Sequence, residues 1–125
     1  HGIGGIAEIS TISKTLVGEL KNGETRYYEI SPREFNLEVT NLDKIKAEDV
    51  VTSAEIAKEI LRGKLRNERL DIVLLNSAAG IYVSGKCDTI QEGIELAKES
   101  IESGKAYEKL KSLVKATKGD LSKLE

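Results

Sequence analysis

The first eleven residues hold the side chains most able to do chemistry. Glycine occupies positions 2, 4 and 5 of the run HGIGGIAEIST, and Glu8 follows them. Glycines at this density let backbone amides approach an anion, and a carboxylate can hold a hard cation such as Mg²⁺. The spacing, however, matches neither the Walker loop nor the dinucleotide fingerprint. From composition alone, we therefore interpret this segment as a flexible chain end.

Two further reactive side chains each occur once. His1 is the only histidine and Cys87 the only cysteine. An imidazole beside a glycine is common in loops, so we expect no direct role for His1. Cys87 cannot form an internal disulfide, and it follows a predicted helix end where any small apolar residue would serve. No residue is therefore assigned a catalytic or substrate-binding role from its type alone.

A β-hairpin is predicted directly after the opening loop, with strands at residues 14–20 and 25–30. Asn22 and Gly23 favour a type I′ turn between the strands, because that turn needs positive φ at both central positions. The two-residue turn sets the cross-strand pairs: Glu19 with Arg26, and Val17 with Tyr28. Residues 32–43 are then expected to be irregular.

Four helices are predicted after the hairpin, and the first and last are outlined by their ends. A capping box of Thr52 and Glu55 starts the first helix, and Gly63 ends it. Its buried face is expected to comprise Val50, Ala54, Ala57 and Leu61. The last helix is predicted at residues 106–117. Its inward residues are expected to be Leu110, Leu113 and Val114.

The two middle helices carry the clearest apolar stripes. One stripe comprises Leu70, Val73, Leu74, Ala78, Ile81 and Tyr82, and that helix ends at Gly85. The small residues 77–80 in the same helix predict a close approach by another element. The next helix is capped by Thr89 with Glu92 and ends at Gly104. Its stripe comprises Ile90, Ile94, Ala97 and Ile101.

A series of short sequence motifs, in the order in which they occur, resembles the anthranilate phosphoribosyltransferase family. The resemblance is strongest from Asn76 onward, and it extends to both sides of that helix. These motifs lie at residues 1–10, 28–37, 53–63, 69–71, 76–80, 82–86, 92–97 and 103–106. The resemblance implies an α/β fold: the C-terminal part of a nucleoside phosphorylase/phosphoribosyltransferase-like α/β domain, here a β-hairpin followed by about four helices.

The length of the chain is short for that family. Its enzymes combine a small helical domain with a large α/β domain, and the resemblance covers only the last part of the large one. The 125 residues also contain no methionine. We therefore expect residues 1–125 to be the C-terminal portion of the large domain, with the N-terminal helical domain and the pyrophosphate-binding half absent from this sequence.

The resemblance also assigns a metal ligand. In the family, the glycine-rich loop ends in an adjacent Asp-Glu pair that helps hold magnesium on the diphosphate of phosphoribosyl pyrophosphate. Glu8 matches the glutamate of that pair. Ala7 stands at the aspartate position, and Gly4 replaces an earlier loop aspartate. We therefore expect Glu8 to assist one divalent ion, which the resemblance implies is magnesium, while the second metal position lacks its carboxylate.

The implied parent enzyme transfers the 5-phosphoribosyl group from phosphoribosyl pyrophosphate to anthranilate in tryptophan biosynthesis. It yields N-(5-phosphoribosyl)anthranilate and pyrophosphate, and its relatives imply a homodimer. The 125 residues would also need the rest of their own chain as a partner, and we expect them to be inactive without it. A net charge of −2, 32% charged residues and the lack of a long apolar run indicate a cytoplasmic protein without membrane contact. Abundant Lys and Glu suit a thermophile.

Two alternatives remain open from the sequence. A pyrimidine nucleoside phosphorylase on the same fold would use inorganic phosphate and a nucleoside, but residues 76–106 fit it less well. A non-catalytic relative that binds nucleic acid would explain the missing aspartate at position 7. The mildly acidic composition, without a concentrated Lys/Arg patch, argues against nucleic acid as a partner.

Overall fold

The computed structural model describes residues 1–6 and 8–124, which form a two-stranded antiparallel hairpin followed by helices. The strands are β1 (Thr15–Lys21) and β2 (Glu24–Ile30), and the α-helices are α1 (Leu42–Ile45), α2 (Val50–Leu61), α3 (Glu68–Val83), α4 (Ile90–Glu102) and α5 (Lys105–Ala116). Short 3₁₀ turns lie at Pro32–Phe35 and Leu121–Leu124. The predicted hairpin and four long helices are confirmed, and α1 and the first 3₁₀ turn interrupt the stretch expected to be irregular.

The hairpin has the predicted turn and register. Asn22 and Gly23 both have positive φ, of 54° and 82°, as a type I′ turn requires. The cross-strand partners are those expected from the two-residue turn, Glu19 with Arg26 and Val17 with Tyr28. The Asn-Gly pair thus determines which β1 side chains face α3.

Helix α2 differs from its prediction at its start and along its buried face. Its N-cap is Asp49, whose carboxylate accepts a hydrogen bond from the Thr52 backbone amide at 2.7 Å. An ionised carboxylate is a strong N-cap acceptor, and this one lies three residues before the amide that needs a partner. The predicted capping box at Thr52 was therefore wrong. The start of the helix is exposed, with Val50 85% accessible, and Ile60 is the buried residue instead.

Helices α3 and α4 pack against each other and, together with Ile60 of α2, form both hydrophobic core clusters. The first cluster comprises Ile60, Leu74, Ala97 and Ile101. The second comprises Leu75, Ala78 and Ile94, with Ile9, Phe35, Leu37 and Ile90 packed around it. The stripe predicted on α4 is confirmed, and the second cluster connects the helices to the opening loop.

The close approach predicted for the small residues of α3 occurs at Ala78. A Cβ built on Gly93 of α4 would lie 2.7 Å from the carbonyl oxygen of Ala78 and 3.0 Å from its Cα. A Cβ built on Gly80 would meet nothing within 4 Å. The contact between the helices is therefore made by Gly93 against Ala78, and Gly80 takes no part in it.

Helix α5 has a less buried apolar face than α3 and α4. None of its residues is fully buried, and Leu113 is 59% accessible. The Tyr107 ring, which lies 4.9 Å from the guanidinium carbon of Arg62, ties the helix to the end of α2. Across residues 1–6 and 8–124, no helix has the length and apolar character that crossing a membrane requires.

Candidate functional site around Glu8

The opening segment is held by hydrogen bonds rather than being a flexible end. The Leu16 amide donates to the carbonyl of His1 at 2.8 Å, and the Ile3 amide donates to that of Lys14 at 2.8 Å. The Gly2 amide donates to the Ile6 carbonyl at 2.9 Å. Residues 1–6 therefore extend the hairpin and fold back on themselves, so the interpretation from composition alone was wrong.

The glycines of this loop allow its tight turn rather than forming an anion-binding site. Gly4 and Gly5 both have φ of 101°, a conformation that residues with a Cβ rarely adopt. The amides of Gly2, Ile3 and Gly5 all donate to backbone carbonyls of the segment or of its neighbour. These three amides are therefore already used, and they do not form a phosphate cradle.

A second anchor lies immediately after Glu8. The side-chain oxygen of Asn76, in the middle of α3, accepts from the Ile9 amide at 3.0 Å. The side-chain nitrogen of Asn76 donates to the Ile9 carbonyl at 2.8 Å. The Ile9 side chain packs against the core cluster of Leu75, Ala78 and Ile94. The chain beside Glu8 is thus fixed through both its backbone and its neighbouring side chain.

Glu8 lies on an exposed part of the chain between the two anchors, at a groove of about 810 Å³. The groove runs between β1 and α3 and reaches the start of α4. Its aliphatic lining residues are Ile9, Leu16, Val17, Leu20, Ala79, Val83 and Ile90. His1 and the thiol-bearing Cys87 also line it. This volume lies within the range of small-molecule clefts, about 300–1,000 Å³.

The far end of the groove is closed by a polar network. The Tyr82 hydroxyl donates to the Glu19 carboxylate, and the Tyr28 hydroxyl donates to the same carboxylate at 3.2 Å. The Lys21 ammonium lies 3.0 Å from the Tyr82 oxygen and 5.0 Å from the centre of its ring. These contacts join the hairpin to the C-terminal end of α3.

The hydrogen bond from Tyr82 holds the pKa of Glu19 below its ordinary value, with a smaller contribution from Tyr28. Because the folded-state pKa is lowered, the ionised carboxylate stabilises the fold above the unfolded pKa. This contribution is lost as the pH falls from the unfolded pKa through the lowered folded pKa of Glu19.

We expect Tyr82→Phe to raise the Glu19 pKa toward its ordinary value, as measured by carbon-13 NMR titration of the carboxyl group. An unchanged titration curve would show that the Tyr82 contact is not formed in solution.

The described residues around Glu8 do not form a complete metal site by themselves. Among residues 1–6 and 8–124, no group of three His, Cys, Asp or Glu side chains could hold a metal ion by itself. Mg²⁺ is commonly held by one or two carboxylates together with substrate phosphates, so a single exposed carboxylate suits that arrangement. Ala7, where the family aspartate is missing, lies outside the described residues.

The role of Asn76 was not predicted from the sequence. In the sequence analysis, Asn76 is only the first residue of a motif, residues 76–80, that resembles the family. A signal was available, because Asn76 is an amide side chain between the buried Leu75 and Ala78 on a core-facing helix. Such a side chain normally needs hydrogen-bond partners from another element.

Known proteins are similar in sequence to most of this chain. The chain is 40% identical over 119 residues to the anthranilate phosphoribosyltransferase of Persephonella marina, covering 95% of this chain and 35% of that protein. It is 44% identical over 114 residues to that of Thiobacillus denitrificans, covering 91% and 33%. The chain therefore spans about a third of the length of these relatives.

Solved structures agree with these relatives. The Saccharomyces cerevisiae anthranilate phosphoribosyltransferase in complex with 4-fluoroanthranilate superposes with a TM-score of 0.79 at 32% identity, covering 88% of this chain and 32% of that one. The same yeast enzyme in complex with PRPP and Mg gives a TM-score of 0.78 at 32% identity, with the same coverage. The model of the glycosyl transferase family, a/b domain, matches residues 1–107. Together with the hairpin, the packed helices and the loop that carries Glu8, this match shows that the chain belongs to the glycosyl transferase family, through its a/b domain.

Proposed function

We propose that this chain is the C-terminal portion of the large domain of an anthranilate phosphoribosyltransferase, and that it acts with the rest of its own chain. The complete protein, meaning the polypeptide that carries these residues, would transfer 5-phosphoribosyl from phosphoribosyl pyrophosphate to anthranilate. The products are N-(5-phosphoribosyl)anthranilate and pyrophosphate, in tryptophan biosynthesis. The observation that carries the proposal is the position of Glu8, exposed at a groove and held between two anchors within the segment that matches the family.

The residues described here contribute to this reaction mainly as a scaffold. Glu8 would supply one carboxylate oxygen to a divalent metal ion on the diphosphate, and magnesium is the ion bound in the related yeast structure. Such an ion offsets the charge that develops on the departing pyrophosphate. The remaining contribution is positioning, because the hairpin and the packed α3 and α4 hold the Glu8 loop in one place. No second carboxylate beside Glu8 is assigned.

A cytoplasmic location and a homodimer accompany this proposal. The cytoplasmic location follows from the composition, with 32% charged residues, and the homodimer is implied by the resemblance to the family. Both stay predictions.

The proposal is tested by incubating the complete protein with phosphoribosyl pyrophosphate, Mg²⁺ and anthranilate. We expect anthranilate fluorescence to fall only when all three are present, with one pyrophosphate released for each anthranilate consumed. Phosphate-dependent cleavage of a pyrimidine nucleoside would instead indicate a phosphorylase. Salt-sensitive retention of DNA without turnover would indicate a nucleic-acid-binding relative. Either of these results would contradict the proposal.

The 125 residues expressed alone are expected to show no turnover in the same assay. The reason is that a single carboxylate and a scaffold cannot by themselves bind the diphosphate and align two substrates. The measurement is anthranilate fluorescence at protein concentrations that give rapid turnover with the complete protein. Turnover by the isolated chain at a comparable rate would show that the pyrophosphate site lies within these residues.

A further inference from the structure

The side-chain amide of Asn76 forms hydrogen bonds with the backbone of Ile9, which lies 67 positions earlier in the chain. Its oxygen accepts from the Ile9 amide at 3.0 Å. Its nitrogen donates both to the Ile9 carbonyl at 2.8 Å and to the Ile72 carbonyl of its own helix at 2.9 Å. Both donors of the side-chain amide are therefore used, and the amide is held in one orientation.

This pair of hydrogen bonds resembles one step of a β-ladder, with a side chain in the place of a second strand. It satisfies the amide and the carbonyl of Ile9 together, so that the backbone at this residue can neither rotate nor shift without breaking one bond. Consecutive Cα atoms lie about 3.8 Å apart across a trans peptide. Fixing Ile9 therefore fixes the position from which the Glu8 side chain extends.

The helix that carries Asn76 is itself rigidly placed. Asn76 follows the fully buried Leu75, and Ala78, two residues later, makes the close contact with Gly93 of α4. The Asn76 side chain thus links the position of Glu8 to the packing of α3 on α4. A shift of the helix would be transmitted to the loop.

We propose that Asn76 is a positioning residue for the metal site, acting through Ile9 to hold the Glu8 carboxylate where a diphosphate-bound ion can use it. The inference rests on the proposed function, because it assumes that Glu8 meets such an ion. Mg²⁺ demands near-octahedral geometry and accepts few protein ligands, so it is sensitive to the placement of the one carboxylate offered. Asn76 itself would contact neither the metal ion nor the substrate.

The test compares variants of the complete protein by the Mg²⁺ concentration that half-saturates binding of phosphoribosyl pyrophosphate, measured by calorimetry. We expect Asn76→Ala to raise that concentration about tenfold, the lower end of the effect of removing a group that orients a metal ligand. Asn76→Asp keeps the shape and the acceptor for the Ile9 amide but loses both donors, so a similar rise is expected. It also provides a second variant if Asn76→Ala does not fold.

The matched control is Ile101→Val, which weakens the other core cluster without touching the loop. It should leave the Mg²⁺ dependence unchanged at a comparable loss of thermal stability. A double variant gives the decisive comparison. In a Glu8→Gln background, Asn76→Ala should cause no further rise, because the group that it positions is already gone.

The outcomes separate this inference from the proposed function. If the unmodified protein binds phosphoribosyl pyrophosphate with Mg²⁺ and folded Asn76 variants show the same Mg²⁺ dependence as Ile101→Val, the positioning role is wrong while the function stands. Equal effects of Asn76→Ala with and without Glu8 would also overturn the inference. If the unmodified protein does not bind phosphoribosyl pyrophosphate at any Mg²⁺ concentration, both are wrong.

Discussion

Replacing Gly93 by alanine is expected to destabilise the complete protein by about 3 kcal/mol, the upper end of the usual cost of overpacking. The new Cβ would lie 2.7 Å from the Ala78 carbonyl oxygen and 3.1 Å from the carbonyl carbon. Both atoms belong to the backbone of α3, so the helices must separate. Alanine gains about 1 kcal/mol over glycine in helix propensity, which is too little to offset the clash. The measurement is the urea midpoint of unfolding.

Gly80→Ala provides the matched control, since Gly80 also lies inside a helix but its Cβ would meet nothing within 4 Å. Only the propensity effect applies there. We therefore expect the free energy of unfolding to be unchanged or higher by up to about 1 kcal/mol, and the urea midpoint to be unchanged or higher accordingly. If both variants had the same midpoint, α3 and α4 would not pack as closely as the structure has them.

Replacing Glu8 by glutamine is expected to raise the Mg²⁺ concentration for half-maximal turnover of the complete protein by at least about tenfold. Glutamine keeps the size of the side chain and removes the charge that favours a hard cation. Because Glu8 is exposed and its neighbour Ile9 keeps its own hydrogen bonds, the fold should be unaffected. The measurement is the initial rate of anthranilate consumption over a range of Mg²⁺ concentrations.

Glu24→Gln is the control for this charge change. Glu24 lies at the first position of β2, exposed, with Arg26 at 3.5 Å. Its loss should alter neither the rate nor the Mg²⁺ dependence. An equal shift in both variants would indicate a general electrostatic effect rather than a metal ligand at position 8.

Local signals in the sequence predicted much of the fold. The Asn22-Gly23 turn determined the hairpin register, because only a few residue types tolerate its backbone angles. The cap of α4 was also predicted, since the Thr89 side chain accepts from the Glu92 amide at 3.1 Å. These features depend on residues close together in the chain, so a single sequence contains the necessary information.

Features that join distant segments were missed or incompletely predicted. The hydrogen bonds from Asn76 to Ile9 depend on how α3 lies against the opening loop, which no local pattern specifies. The small residues of α3 indicated close packing but not that Gly93 is the partner. At α2, the carboxylate of Asp49 forms the cap, three residues before the predicted Thr52. For the site, the resemblance supplied Glu8, and the structure added the two anchors that hold it.

The proposed contact between Glu8 and the metal ion on the diphosphate is tested most directly by electron paramagnetic resonance of Mn²⁺, used in place of Mg²⁺, with the complete protein and phosphoribosyl pyrophosphate. Binding removes the sharp signal of free Mn²⁺, so the affinity is measured without turnover. We expect Glu8→Gln to bind Mn²⁺ about tenfold more weakly or worse, and Glu24→Gln to match the unmodified protein. Equal Mn²⁺ affinity in the unmodified protein and in Glu8→Gln would contradict the claim.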